Sequence, residues 1–391
     1  MFLKKNVKDI DCSSKKVFVR VDFNVPLKDG KVADDTRILA ALPTIKYLLD
    51  NGAAVILASH LGRPGGEIRK ELSLKPVAEY LSKLVDTKVS FSNDCIGESA
   101  KLAVGKLKLG EILVLENTRF HAGEKNNDPE MGKELASLAD LFVNDAFGTA
   151  HRAHASNVGI TKYLPAVAGL LLEKEIIYLG NTLADPEFPF TAILGGAKVS
   201  GKIGVIKNLA EKVNNILIGG GMANTFFAAM GFKTGDSLIE PDSIDMAKEL
   251  IDEFNEKILL PVDVVIADEF CELAKFKTIT LGDIPDGWRI MDIGPDTLIK
   301  YEKIVNRSKT IIWNGPMGVF EFEPFAKGTF SLAKIIARSS GVTIIGGGDS
   351  AAAIKDAGLS KDITHVSTGG GASLKMMEGS ILPGLEALDD K

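Results

Sequence analysis

Residues 188–210 read FPFTAILGGAKVSGKIGVIKNLA: an apolar run of strand length, a Gly-Gly turn, then apolar residues at helical spacing. This is one strand–turn–helix unit, and it repeats outward in both directions. On the C-terminal side the strands are NNILIGGG, VDVVIADEF, KTIIWNGP, GVTIIGGG and THVSTGG. On the N-terminal side they are KVFVRVDF, AAVILASH, KVSFS, EILVLENTRF and DLFVNDAF, separated by helical patterns such as DDTRILAALPTIKYLLDNG and NDPEMGKELASLA. Apolar, β-branched runs of strand length alternating with helix-period stretches are the pattern of βαβ units on a parallel sheet. The fold class expected is therefore α/β.

A chain of 391 residues exceeds one ordinary core, so two lobes are expected, with residues 1–171 in the first and 172–378 in the second. The connector is LPAVAGLLLEKEIIYLGNTLADPEFP, read as a long helical pattern ending in a Pro-containing turn. Each lobe is expected to be Rossmann-like, a mostly parallel sheet flanked by helices, with a cleft and hinge between them. A net charge of −6 argues against a general nucleic-acid or membrane-surface binder, so any anion site must be local. The start MFLKKNVKDIDCSSKK lacks the apolar core of a signal peptide, and no stretch has the ~20 apolar residues of a membrane span. Cys12, Cys95 and Cys271 are scattered and form no C-x-x-C pair. A cytoplasmic protein is expected.

In open parallel sheets ligands bind beyond the carboxyl ends of the strands. The first half fills those places with polar side chains: Asp22 and Asn24, His60 and Arg63, Arg119, Arg152, and Arg37 from DDTRI. Guanidinium forks pair bidentately with phosphate and carboxylate, so such a rim suits an anion with more than one charged group. His151 and His154 are a poor metal pair, because no carboxylate or cysteine ligand lies near them in sequence. The second half fills the same places with glycine, at Gly195–Gly196, Gly219–Gly221, Gly346–Gly348 and Gly369–Gly371. Bare backbone amides opening helices suit the phosphates of a nucleotide.

GAKVSGK at residues 196–202 satisfies a Walker A pattern until Ile203, which lacks the magnesium-binding hydroxyl. The better reading sets Lys198 and Lys202 four residues apart on one face of a helix's first turns. A metal ligand is then expected beside another phosphate loop, at Asp349, where an aspartate can alternatively be a helix N-cap.

Taken in order, RVDFNVPL, SHLGRP, ENTRF, DAFGTAHRAHAS, GGAKVSGKI, WNGPMGVFE, GGGDS and STGGGAS resemble the motif series of the phosphoglycerate kinases over nearly the whole chain. The resemblance implies magnesium-dependent, reversible phosphoryl transfer between 1,3-bisphosphoglycerate and ADP, giving 3-phosphoglycerate and ATP, in a monomer. It also implies that Asp22, Asn24, Arg37, His60, Arg63, Arg119 and Arg152 hold the phosphoglycerate. Lys202, Gly347, Gly348, Asp349 and Ser350 would meet nucleotide phosphates and magnesium, and Glu321 the ribose. Gly220 and Gly221 would face the adenine, with Gly294 and Asn314 on the same nucleotide side. The tail, residues 379–391, would return to the first lobe. Departures from the pattern are Ser350 in place of threonine, Gly201 in the lysine helix, and Lys375-Met376-Met377.

A carboxylate nucleophile is ionised at neutral pH and needs no general base, so none of the five histidines has to serve as one. Lys198 is expected to stabilise the transferring group, Arg37 to align the attacking carboxylate, and amides at Gly348 and Gly371 to complete the cradle. The hinge is expected at residues 170–179 and 369–371. Two other readings are a dehydrogenase, for which no G-x-G-x-x-G with a following acidic residue is present, and a non-enzymatic anion-binding protein.

Overall fold

The computed structural model describes residues 3–391. The chain divides into two compact units: residues up to Ile177 together with Ile381–Lys391, and Tyr178–Ser380.

The first unit is built on β1 (Lys16–Arg20), the hairpin strands β2 (Leu27–Lys28) and β3 (Lys31–Val32), β4 (Ala54–Ala58), β5 (Val89–Phe91), β6 (Ile112–Val114), β7 (Leu141–Asn144) and β8 (Ala166–Ala168). Six of them form an all-parallel sheet in the order β5-β6-β4-β1-β7-β8. A parallel sheet is covered on both faces, which is why β1 and β4 are apolar in succession instead of alternating. Val17, Phe18 and Val19 are wholly buried, as are Val55, Ile56 and Leu57. One core cluster packs Val19, Val55 and Val114 against Ile38, Ile45 and Leu48 of the helix Thr36–Asp50.

The second unit carries β9 (Phe190–Leu194), β10 (Asn215–Ile218), β11 (Ile258–Leu259), β12 (Asp263–Ala267), β13 (Phe276–Thr280), β14 (Arg289–Ile293), β15 (Thr310–Asn314), β16 (Val342–Gly346) and β17 (His365–Val366). Its parallel sheet runs β11-β10-β9-β15-β16-β17. Trp313, Ile193 and Ile345 meet Leu332 and Ile336 of the helix Lys327–Ala337 in its core.

Three features depart from the sequence expectation. VDVVIADEF does not join the parallel sheet; its residues 263–267 are β12, the centre of an antiparallel sheet ordered β13-β12-β14. The start of the connector is not helical, because Ala166–Ala168 pairs with β7 as an edge strand. Helix then runs from Leu170 to Glu175, Ile176–Asn181 winds as π-helix, and the compact units divide at 177/178, where the sequence pattern suggested 171/172. Ile381–Lys391 packs within the first unit: Asn144 Nδ2 donates to Gly384 O at 2.9 Å, and Gly384 N to Ala150 O at 2.8 Å.

Candidate functional site

In the first unit the anticipated polar residues stand beyond β1, β4, β6 and β7, with Arg37 in the first turn of the helix Thr36–Asp50, and the loop after β6 fixes much of their geometry. Asn117 is wholly buried and clamps the β4 loop, accepting from Leu61 N at 3.1 Å and donating to Leu61 O at 2.7 Å and Leu72 O at 2.9 Å. The same side-chain oxygen accepts from Arg119 N at 3.1 Å, so one amide sets the strand end and the arginine together. Arg119 Nη1 donates to Gly62 O at 2.8 Å. Its Nε and Nη2 are buried and have no hydrogen-bond partner among the described residues. Leaving two buried guanidinium donors unused is costly unless a ligand supplies acceptors.

Around it, Arg37 Nη1 donates to Asn24 O at 2.9 Å and lies 3.3 Å from Asp22 Oδ2. Asn24 Oδ1 accepts from Gly62 N at 2.8 Å. Arg152 Nε is 3.0 Å from His151 Nε2, which identifies the partner of one histidine of the discarded metal pair. His154 lies 3.7 Å from Glu124. Arg63 is exposed and makes no hydrogen bond or ion pair among the described residues.

His60 shows that the arginines converge. Burial, then the positive charges of Arg20, Arg119, Arg37 and Arg152, hold its imidazole well below the usual value. It is neutral at pH 7, so its 4.0 Å approach to Asp22 is not an ion pair. Burial, then Arg20 and Arg152, lower Arg119 to about 10, which leaves it charged. Three of these four cations, Arg37, Arg119 and Arg152, are the ones the sequence points to; the fourth, Arg20, lies within strand β1 itself. It is wholly buried, donates from Nε to Ser156 Oγ at 2.7 Å, and meets His60 Nδ1 at 3.2 Å. Glu124, buried 3.9 Å away, completes the network. Burial favours its neutral form, but His154, Arg20 and Ser156 hold its carboxyl down at about 2. A charged residue inside a buried strand is rare enough to be the signal that could have found Arg20.

In the second unit β9 and β15 are neighbours at the point where the strand order reverses, the place where α/β sheets bind ligands. Lys202 fills that crevice: Nζ donates to Asn314 O at 2.8 Å and also to Gly195 O. Burial lowers Lys202 to about 7, with the Asp349 carboxylate pulling the other way. Lys198 is not on the same helical face. It precedes the 3-10 turn Ser200–Lys202, on the loop after Gly196, whose φ of 90° turns the chain before any helix begins. Lys198 is exposed, while Glu240 ties the loop down by accepting from Ser200 N at 2.9 Å and Ser200 Oγ at 2.6 Å.

Asp349 lies in the first turn of the helix Gly348–Asp356, whose N-cap is Gly347, so it is not the cap. Ser350 Oγ accepts from Gly315 N at 2.6 Å. Gly371 opens the helix Gly371–Met377. A cavity of about 720 Å³ borders Gly220, Gly221, Glu321 and Asp349. Its apolar walls, among them Leu238, Met291 and Phe322, were not foreseen, because they come from separate elements. Asp292 also lines it, raised to about 7 by burial. Gly294 and Asn314 are not part of this lining. The Asp263 carboxylate accounts for Gly294, since a Cβ there would come within 2.2 Å of it.

Gly220 has a φ of 65°, and a Cβ on it would lie 2.6 Å from both Gly196 N and Pro316 O. Neither backbone can give way, so Gly220→Ala is expected to destabilise by roughly 3 kcal/mol from strain and overlap. Urea denaturation checks this; a loss below about 0.5 kcal/mol, the range of an ordinary surface change, contradicts it.

Residues 7–380 match the family model described as "Phosphoglycerate kinase". The chain belongs to the phosphoglycerate kinase family. A phosphoglycerate kinase of Herpetosiphon aurantiacus is 56% identical over 99% of this chain and 100% of its own length. One of Moorella thermoacetica is 54% identical over the same shares. The solved structure of phosphoglycerate kinase from Coxiella burnetii superposes with a TM-score of 0.89 at 41% identity, covering 98% of each chain. That of Pyrococcus horikoshii has the same TM-score at 39% identity. As a phosphoglycerate kinase, the protein carries out the ATP-generating phosphoryl transfer of glycolysis, with ADP and ATP as co-substrates. The dehydrogenase and binding-protein readings fall away.

Proposed function

We propose that the phosphoglycerate is held by Asp22, Asn24, Arg37, His60, Arg63, Arg119 and Arg152, with Arg20 positioning His60 through its 3.2 Å contact with Nδ1. The observation that carries this reading is the pair of buried, unused donors on Arg119 inside a group of four cations around a neutral histidine. An anion with several charges relieves that repulsion and supplies the missing acceptors. Arg37, half exposed and only partly engaged by Asp22, aligns the attacking carboxylate. No proton has to be removed from a carboxylate at neutral pH, so catalysis rests on position and charge.

On the nucleotide side, Lys202, Asn314, the Gly347–Gly348 amides, Ser350 and Gly371 meet the phosphates. Gly220, Gly221 and Glu321 meet the base and ribose along the cavity, and Gly294 supports that wall. The donor set fits magnesium: Asp349 offers one exposed hard oxygen beside the cavity, leaving the other positions for phosphate and water, as this ion prefers. When bound, magnesium neutralises charge on the phosphates. Lys198 stabilises the transferring group. The acid and the nucleotide are assigned to different units, and we place the hinge between those units at residues 170–179 and 369–371. The π-helical run Ile176–Asn181 supports the first of these, π-turns being frequent at functional sites. Our reading is of a monomer working in the cytoplasm; no helix among the described residues is long and apolar enough to cross a membrane.

A coupled assay of ATP formation from 1,3-bisphosphoglycerate and ADP tests the proposal. Turnover with magnesium and its loss when magnesium is withheld is the expected result, and equal rates in both conditions would falsify the metal assignment.

Lys202 adds a pH signature. Its ordinary value of 10.5 falls to about 7 in the free enzyme, so the charged form carries a burial penalty that is full below about pH 7 and fades as pH rises towards 10.5. Nucleotide phosphates favour the charged form, so binding at pH 8 should take up close to one proton, and binding at pH 6 almost none. Calorimetry in buffers of different ionisation enthalpy measures the uptake. Lys202→Met should abolish it, and buffer-independent heats at pH 8 contradict the assignment.

A further inference from the structure

We propose that Asp94, Cys95 and His121 form a site for a thiophilic divalent cation, with zinc as the occupant their chemistry favours. Asp94 and Cys95 lie between β5 and the helix Gly97–Lys106, and His121 follows the 3-10 turn Thr118–Phe120. One ligand atom of each lies within 4.8 Å of the others.

Asp94 Oδ1 is held in place by Cys95 N at 2.7 Å and stands 2.6 Å from His121 Nε2. Zinc bound at ~2.0–2.3 Å to oxygen, nitrogen and sulfur places tetrahedral ligands roughly 3.3–3.7 Å apart. Opening the aspartate–histidine contact by less than about 1 Å therefore admits the ion, the metal replacing a hydrogen bond. One sulfur, one nitrogen and one oxygen select zinc over magnesium or calcium, and three protein ligands leave a fourth position open.

The surrounding charge agrees with a cation. Cys95 is wholly buried, and burial, then Asp94, Glu124 and Glu116, hold its thiol protonated well above its usual range. The carboxylates that disfavour a bare thiolate attract a dication, which deprotonates a coordinating thiol outright. Zinc and the thiol give a zinc thiolate and one proton, leaving zinc, thiolate and carboxylate neutral in sum. Entry is from the surface, since the Asp94 and His121 side chains are 38% and 32% exposed.

The test is titration of the metal-stripped, full-length enzyme with cobalt(II), followed by zinc(II). The expected result is a thiolate-to-cobalt charge-transfer band, displaced by one equivalent of zinc with release of one proton. Cys95→Ser should lose the band. His121→Asn changes a partly exposed side chain, leaves the core intact, and should weaken zinc binding about 100-fold. Absence of the band, its persistence in Cys95→Ser, or unchanged zinc affinity in His121→Asn overturns the proposal.

Discussion

An Arg119→Met enzyme is expected to bind 3-phosphoglycerate about 10²–10³-fold more weakly than the parent while melting at the same or a higher temperature. Truncating one partner of a buried, hydrogen-bonded charge pair costs roughly 2–5 kcal/mol, and each ~1.4 kcal/mol is a factor of ten. The rise in stability has a separate cause. Arg119 lies in the field of Arg20 and Arg152 and buries two donors without acceptors, so an apolar side chain of similar length relieves both penalties in the ligand-free protein. His60 should then titrate closer to an ordinary imidazole, because one of the charges holding it neutral is gone. Calorimetric binding, a thermal melt and histidine NMR read the three effects. If Arg119 were only a structural tie to Gly62, the variant would melt lower and bind normally.

The second large effect is in turnover. Lys198→Ala should lower kcat about 10³-fold, the smaller end of what a cation on a transferring phosphoryl group contributes, with both substrate affinities changed only a few-fold. Lys198 is exposed and makes no hydrogen bond or ion pair among the described residues, so its removal leaves folding almost untouched. Glu240, through Ser200, keeps the loop in place without it. Steady-state kinetics against each substrate separates the outcomes. Unchanged kcat contradicts the role, and a raised KM with normal kcat reassigns Lys198 to ground-state binding.

The parallel sheets were legible because each central strand, such as β1 or β9, is a short unbroken apolar run ending in a polar or glycine turn. β8 was not, since three residues at a sheet edge carry too little pattern to stand out from the helix that follows. β13 was hidden for the opposite reason: FKTIT is largely exposed and shows no buried stripe. Arg63, Arg119 and Arg152 could be read from position alone, after strand ends, whereas Arg37 opens a helix and Arg20 belongs to a strand itself, masked by its apolar neighbours. The lysine pair was misplaced because spacing of four residues implies a shared face only inside a helix, and the turn at Gly196 delays the helix past Lys198. The apolar walls of the cavity come from residues as distant as Leu238, Met291 and Phe322, which only tertiary structure brings together.

The most direct measurement is a crystal structure of the enzyme with 3-phosphoglycerate and ADP. An anionic group of the acid is expected within hydrogen-bond distance of Arg119 Nε and Nη2, with Arg37 and Arg152 on the same molecule. An acid bound elsewhere, with those two nitrogens still lacking an acceptor, would contradict it.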